Sequence, residues 1–300
     1  MPDPEPISFT IHPKGKPPLR LQGHYWISSK AVAEGEKLPA LVELNPYRRR
    51  DGMLLGDSDF YPWFAYHGYL CCRVDLQGSG DSDGVLRDEY TQEELDSCVE
   101  VIKQLAAHRL CNGKVGMLGW SWSAINSLMV AARDDCPKAL KAVLIVSGTD
   151  DRYSDDVHTM NGAMMQDQFD WASLMWGWLT QPPDPLVVGD QWQTMWRERL
   201  NQAEFWFATW ASHPTRDAYW SQTSVRDLYA KVKVPVNIVS GYCDIGYSNP
   251  VAHVMAGLTA AGKPVEALLG AWGHASPNTG YPGPRIDWLP HLLHHWWDRW

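Results

Sequence analysis

Residues 114–126 read Lys-Val-Gly-Met-Leu-Gly-Trp-Ser-Trp-Ser-Ala-Ile-Asn, and they constrain the fold more than any other stretch. An apolar run ends in Gly-x-Ser-x-Ser and passes into helix-forming sequence. This is the pattern of a nucleophile elbow, in which strand, sharp turn and helix present a serine at the tip of the turn. The residues two places to either side of that serine must be small, because strand and helix approach closely there. Gly119 satisfies this fully, and Ser123 stands where a second glycine is usual. The helix begins just past Ser121, so its first N–H groups point toward the serine. The competing reading is a buried serine in a tight turn, and the pentapeptide alone does not separate the two.

The rest of the chain supplies an α/β frame. Candidate strands lie at residues 7–11, 19–27, 39–45, 69–75, 139–146, 234–241 and 265–271. Residues 60–67, 91–108, 251–260 and 288–300 read as helices. The second of these opens with Thr91 as N-cap and Glu94 three places on, and its Leu95, Val99, Ile102 and Leu105 recur at helical spacing. Strand–helix alternation implies an open, mostly parallel sheet with helices on both faces. Alternation lapses over 153–230, a segment rich in Trp, Met, Asp and Gln with no β period, which reads as a helical cap insertion. The expected organisation is a core formed by 1–152 and 231–300 with the cap between.

Three hundred residues suit such a domain, and 45% hydrophobic with 20% charged residues reads as globular. A net charge of −9 without a basic run argues against a nucleic-acid partner. No membrane-length apolar run and no signal-peptide pattern are expected at the N-terminus, Met1-Pro2-Asp3-Pro4-Glu5-Pro6. The six cysteines lack metal-ligand spacing and read as free thiols of a cytoplasmic protein. The glycine-rich run Gln77–Gly84 lacks the Gly-Lys-Ser/Thr ending of a phosphate cradle. His291 and His295 form an i, i+4 pair but no Glu follows His291, and Asp155, Asp156 and His158 read as a solvated turn. No metal and no cofactor are expected. Homo-oligomerisation is left open.

A serine hydroxyl needs a histidine base, and the base needs a carboxylate to hold its tautomer. Both follow in the order that such a fold requires. Pro235–Gly241 is a strand that places Asp244 just beyond its end, and Leu268–Gly270 places His274 beyond the last one. Ligands of open parallel sheets bind outside the carboxyl ends of strands. Singly, Asp244 reads as a turn residue and His274 as a loop residue; together with Ser121 they read as a triad. The oxyanion donors expected are the backbone N–H of Trp122 and a group from Asn45-Pro46-Tyr47. Pro46 has no N–H, which leaves the Tyr47 hydroxyl or its backbone N–H.

These motifs, together with Arg73-Val74-Asp75 and Gly78-Ser79-Gly80-Asp81-Ser82-Asp83-Gly84, resemble the Xaa-Pro dipeptidyl-peptidase / cocaine esterase family of α/β-hydrolases. The resemblance covers nearly the whole chain. It implies Ser121, Asp244 and His274 as triad, Tyr47 as an oxyanion-hole tyrosine, and a helical cap at the insertion. It implies an ester, an amide or a short peptide as substrate, cleaved through an acyl-enzyme. Eight of the seventeen Trp fall in the insertion, and Trp120, Trp171 and Trp176 are the residues expected to line the substrate site. A peptidase that holds a free amino group would need carboxylates, for which Asp150, Asp151, Asp155 and Asp156 are available.

Two departures stand out. Ser123 replaces the commoner glycine. The resemblance also implies a C-terminal jelly-roll domain after the final helix, which is expected to be absent from this sequence, ending as it does at Trp300. The terminal Leu292-Leu293-His294-His295-Trp296-Trp297 would then lack a cover. A decayed or truncated binding module is the alternative from outside enzymology.

Overall fold

The computed structural model describes residues 2–51 and 53–300. Its elements run β1 (Glu5–Ile11), β2 (Leu19–Trp26), α1 (Ser29–Glu34), β3 (Leu38–Asn45), α2 (Leu54–Tyr66), β4 (Leu70–Asp75), α3 (Gln92–Ala106), β5 (Cys111–Trp120), α4 (Trp122–Ala132) and β6 (Leu140–Val146). A hairpin, β7 (Thr159–Met160) and β8 (Ala163–Met164), precedes α5 (Asp167–Leu179), α6 (Pro185–Val188), α7 (Trp192–Gln202), α8 (Phe207–Ala211) and α9 (Ala218–Ser221). The chain closes with β9 (Val236–Gly241), α10 (Pro250–Ala260), β10 (Val265–Gly270) and α11 (Trp288–His291). The expected final helix is split, because α11 continues as a π-helical segment, Leu292–Trp297.

Eight strands form one sheet in the order β1-β2-β4-β3-β5-β6-β9-β10. The β1/β2 and β2/β4 pairs are antiparallel, and β3/β4, β6/β9 and β9/β10 are parallel. The parallel strands read as continuous apolar runs because both their faces are covered, and β4 and β9 are buried at every residue. Among the described residues no helix is long and apolar enough to cross a membrane.

By packing, the chain divides into two compact units: Met1–Val115 with Ala172–Trp206, and Gly116–Trp171 with Phe207–Trp300. In the first unit, α2 steps the chain from β3 outward to β4, and α3 steps it back past β3 to β5. Right-handed crossovers running in opposite directions place these two helices on opposite faces of the sheet. Thr91 caps α3, its side chain accepting the Glu94 N–H at 3.3 Å, while Glu94 Oε2 accepts the Tyr90 N–H at 2.8 Å. The reciprocal bond of the capping box thus falls one residue earlier than in the usual arrangement.

The first unit also buries charge. Arg73 on β4 donates through Nη1 to Glu43 Oε2 at 3.0 Å and to Asp57 Oδ1 at 2.8 Å. Tyr61 donates to Glu43, and Asn45 Nδ2 donates to Glu43 Oε1 at 3.0 Å. One guanidinium thus faces two carboxylates. Burial pushes the Asp57 carboxyl up to about 7, with Arg73 opposing and Glu43 adding to the rise. The folded carboxyl therefore holds its proton to higher pH than the ordinary value of 3.8. Its contribution to stability is present below that ordinary value and is lost as pH rises through 7. Asp57→Asn keeps an acceptor for Arg73 and removes the titration. The variant should lose less stability than the parent between pH 5 and pH 8, by roughly 2–3 kcal/mol. Urea unfolding at the two pH values measures this, and an equal loss in both proteins would show that Asp57 is charged throughout.

In the second unit, α4 connects β5 to β6 and α10 connects β9 to β10, both stepping the same way, so they lie on one face. Leu292, Leu293, Trp296 and Trp297 are buried by the chain itself, which corrects the expectation that this stretch lacks a cover. Only its intervening His294 and His295 are exposed, as the helical period dictates.

The segment 153–230 carries the helices α5 to α9 joined by loops, together with the β7/β8 hairpin, which short polar and Gly residues at 161–162 turn without any extended β period in the sequence. Its residues 172–206 pack with the first unit and the remainder with the second. Arg199 on α7 is buried and donates to the carbonyls of Gly80 at 2.9 Å and Ser82 at 2.7 Å. The glycine-rich run therefore cradles an arginine of its own chain. Burial is the main reason that Arg199 falls to about 10, with Arg48 adding to the effect.

Candidate active site

The elbow forms as its residues require. Ser121 has φ 57° and ψ −115°, a conformation that a non-glycine residue holds only when its surroundings enforce it. A Cβ on Gly119 would collide with Ser123. Ser123 is fully buried, and its Oγ both accepts the Trp120 N–H and donates to the Trp120 carbonyl, each at 3.0 Å. A serine can therefore stand in the glycine position, because its hydroxyl closes the turn. The Ser121 N–H donates to the Val146 carbonyl at 2.9 Å, which ties the elbow to the end of β6. Trp122 is the first residue of α4, so its N–H lies at a helix N-terminus.

The Asp and His loops leave β9 and β10 at the same edge of the sheet, since these strands are parallel neighbours. They are laced together by Tyr242 N–H to Gly270 O at 2.8 Å and Cys243 N–H to Trp272 O at 2.9 Å. Glycine is obligatory at 241 and 270, where a Cβ would strike the Trp272 backbone and ring respectively. The result brings His274 Nδ1 to 3.2 Å from Asp244 Oδ1 and 3.1 Å from Oδ2. Asp244 is 3% exposed, whereas the His274 side chain is 49% exposed. A buried carboxylate is thus spent on one imidazole nitrogen, and Nε2 is left for a reaction partner.

The Asn45-Pro46-Tyr47 loop belongs to the first unit. The Tyr47 N–H donates to Asn45 Oδ1 at 3.0 Å, and the Tyr47 ring packs on Trp178 at 5.3 Å. That backbone N–H is committed within its own loop. Ser79 is buried and donates to the Pro46 carbonyl, which excludes it as a nucleophile. Trp120 and Trp171 are half-buried in the second unit. Trp176 belongs to the first unit, is 48% exposed and packs edge-on against Phe205 at 6.3 Å.

The cluster expected to be a solvated turn is buried, which corrects that reading: Asp155, Asp156 and His158 are all under 4% exposed. His158 lies between Trp210 and Trp220, each 4.7 Å from its ring, with Nδ1 3.3 Å from Gln168 Oε1. Arg226 explains the burial of the acids. It grips Asp150 bidentately at 3.0 and 2.9 Å and reaches Asp155 Oδ2 at 2.7 Å. Burial pushes Asp155 up while Arg226 pulls it down, and the carboxyl settles above the usual range. Asp151 pairs with Arg216 at 2.9 Å, and Asp156 accepts from the Tyr247 hydroxyl. These four carboxylates have partners inside the chain and do not stand ready for a substrate amine.

Asp150, Asp155 and His253 have ligand atoms within 4.8 Å of one another, the spacing of a cation site. Arg226 Nη2 already lies 2.9, 2.7 and 3.1 Å from the three, so the guanidinium serves as their cation. Nothing local in the sequence signals this. Arg226 is more than seventy residues from the acids it holds, and only folding reveals the pairing.

An open, mostly parallel sheet with a serine elbow and a His–Asp pair beyond its last strands defines the α/β-hydrolase class. The profile of the X-Pro dipeptidyl-peptidase (S15) family matches residues 24–276, most of the chain, and the chain belongs to that family of hydrolases and peptidases. No protein of curated function matches it. Among solved structures it resembles an aminopeptidase from a marine sediment Thaumarchaeota archaeon (TM-score 0.71, 20% identity, 99% of this chain and 55% of that one). It also resembles a CocE/NonD family hydrolase from Staphylococcus aureus (TM-score 0.66, 18% identity, 98% and 48%). A third is the Pyrococcus horikoshii acylaminoacyl peptidase (TM-score 0.63, 16% identity, 99% and 42%). The chain spans about half the length of the solved structures it matches.

Proposed function

We propose that the protein is a serine hydrolase that cleaves an ester or amide bond through an acyl-enzyme. The observation that carries this reading is the Asp244–His274 pair on the loops after β9 and β10, in the unit that also holds the strained Ser121. Ser121 Oγ attacks the carbonyl carbon as His274 Nε2 takes its proton, and Asp244 stabilises the imidazolium through Nδ1–H. The tetrahedral oxyanion is assigned to the Trp122 N–H, and the family resemblance assigns a second donor to the Tyr47 phenol. Collapse expels the leaving group, which receives the proton from Nε2, and water repeats the sequence on the acyl-enzyme. Trp120, next to the nucleophile, and Trp171 favour a bulky apolar acyl group.

The second reading, an Xaa-Pro dipeptidyl-peptidase, is favoured by the family match. The ion pairs of Asp150, Asp151 and Asp155 weigh against it, since they remove the obvious holders of an N-terminal ammonium. Fluorophosphonate labelling tests for a nucleophilic serine, and its failure would favour a non-catalytic binding module. Comparing kcat/KM for a p-nitrophenyl ester and an Xaa-Pro-p-nitroanilide separates the two enzymes; the ester is expected to be the better substrate.

The role of Tyr47 has its own test. A preorganised oxyanion donor is worth about 10²–10³ in kcat. Tyr47→Phe removes one oxygen and keeps the ring on Trp178. It should lower kcat by about that factor with KM and thermal stability nearly unchanged. A silent substitution would take the hydroxyl out of the mechanism.

A further inference from the structure

We infer that Tyr247 is a positioning residue for His274, and that Asp156 holds Tyr247 in place. The inference rests on the hydrolase reading for its consequence but on geometry for its existence. The Tyr247 ring stacks on the His274 imidazole, with centroids 5.2 Å apart and planes 29° from parallel. Tyr247 is buried at 5% exposure, whereas half of the His274 side chain faces solvent. A half-exposed imidazole has to be held in one orientation to act as a base, and its bond to Asp244 does not achieve that alone. The two Asp244 oxygens lie at nearly equal distances from Nδ1, 3.2 and 3.1 Å, so the carboxylate fixes the nitrogen but leaves the ring free to tilt about it. A flat aromatic surface against one face removes that freedom. The same face carries the negative end of the ring quadrupole, which favours the imidazolium formed during acyl transfer.

The stack is itself anchored. The Tyr247 hydroxyl donates to Asp156, and the Asp156 N–H donates to the Gly246 carbonyl at 3.1 Å. Asp156 adopts φ 62°, a region where Asp is tolerated far better than branched residues. Gly246 has to be glycine, because a Cβ there would lie 2.8 Å from the Asp156 carbonyl oxygen. Side chain and main chain of one aspartate therefore pin both residues that set the Tyr247 ring. Asp156 comes from the start of the 153–230 segment, so the link makes the orientation of the base depend on that segment.

The test has two arms. In the wild-type protein, NMR should show nuclear Overhauser contacts between the Tyr247 ring protons and the His274 Hδ2 or Hε1, with His274 resonances displaced upfield by the ring current. This arm needs no turnover, and absence of both signals overturns the proposal. In the kinetic arm, Tyr247→Leu removes the stack and should lower kcat by about 10- to 100-fold with KM unchanged, the scale of a small misplacement of a reacting group. Tyr247→Phe loses the hydroxyl bond to Asp156 but keeps the ring, which the main-chain bond from Asp156 to Gly246 still seats, so kcat should stay within about threefold of wild type and the upfield shift should persist. Equal losses in Leu and Phe, or no loss in Leu, overturn positioning by the ring. If Ser121→Ala retains full activity while the NMR contacts are present, the hydrolase reading fails and the His274–Tyr247 geometry stands.

Discussion

Ser121→Ala should abolish ester turnover and fluorophosphonate labelling, lowering kcat by on the order of 10⁶. The magnitude follows from the mechanism, since no other group in the elbow can form the acyl bond. The nearest alternatives are disqualified by their surroundings. Ser123 is fully buried with its hydroxyl shared between the N–H and carbonyl of Trp120, and Ser79 is buried against Pro46. Alanine at φ 57° is strained by about 1–2 kcal/mol, much as serine is, so the variant should fold, and circular dichroism and thermal melting check this. Residual labelling at wild-type rate would move the nucleophile away from Ser121.

Asp244→Asn should lower kcat by about 10⁴ with little change in folding. In the proposed triad the Asp244 carboxylate accepts from His274 Nδ1–H, which leaves Nε2 as the base for Ser121. An amide in the same place can turn its NH2 toward Nδ1. The imidazole then carries its proton on Nε2 and cannot act as a base. The substitution is nearly isosteric in a site that is 3% exposed, and it removes a buried charge, which is why stability should hardly respond. A variant with near-wild-type kcat would mean that another carboxylate serves the base. Asp150 is unsuited to that role, because Arg226 grips it bidentately.

The strands of the eight-stranded sheet were legible because each is a short apolar run bounded by Gly, Pro or polar residues, whereas the two-residue strands β7 and β8 carry no period to read. The α3 helix was legible from its cap and its apolar period. The α1 helix was not expected, since six residues carry too little period to declare themselves. The candidate triad residues could be singled out for a different reason: the chemistry calls for each at a strand end next to a glycine, and chain order narrows the choices. Residues 153–230 were the least legible. Short helices there have little period of their own, and their stability comes from packing.

Sequence alone determined what is local in the chain: the elbow, the strand ends and their order, and the residue types that acyl transfer demands. These depend on steric limits at single residues and on side-chain chemistry, both of which are properties of neighbours in the chain. Only the tertiary structure decided how charges distant in sequence pair. It put Arg226 among Asp150, Asp151 and Asp155, Arg73 between Glu43 and Asp57, and Asp156 behind the Tyr247 ring that flanks His274. The physical reason is that a buried charge is tolerated only beside its partner, and which partner is adjacent is settled by the packing of elements dozens of residues apart. The same sequence positions would read as solvated turns in a chain that packed them otherwise.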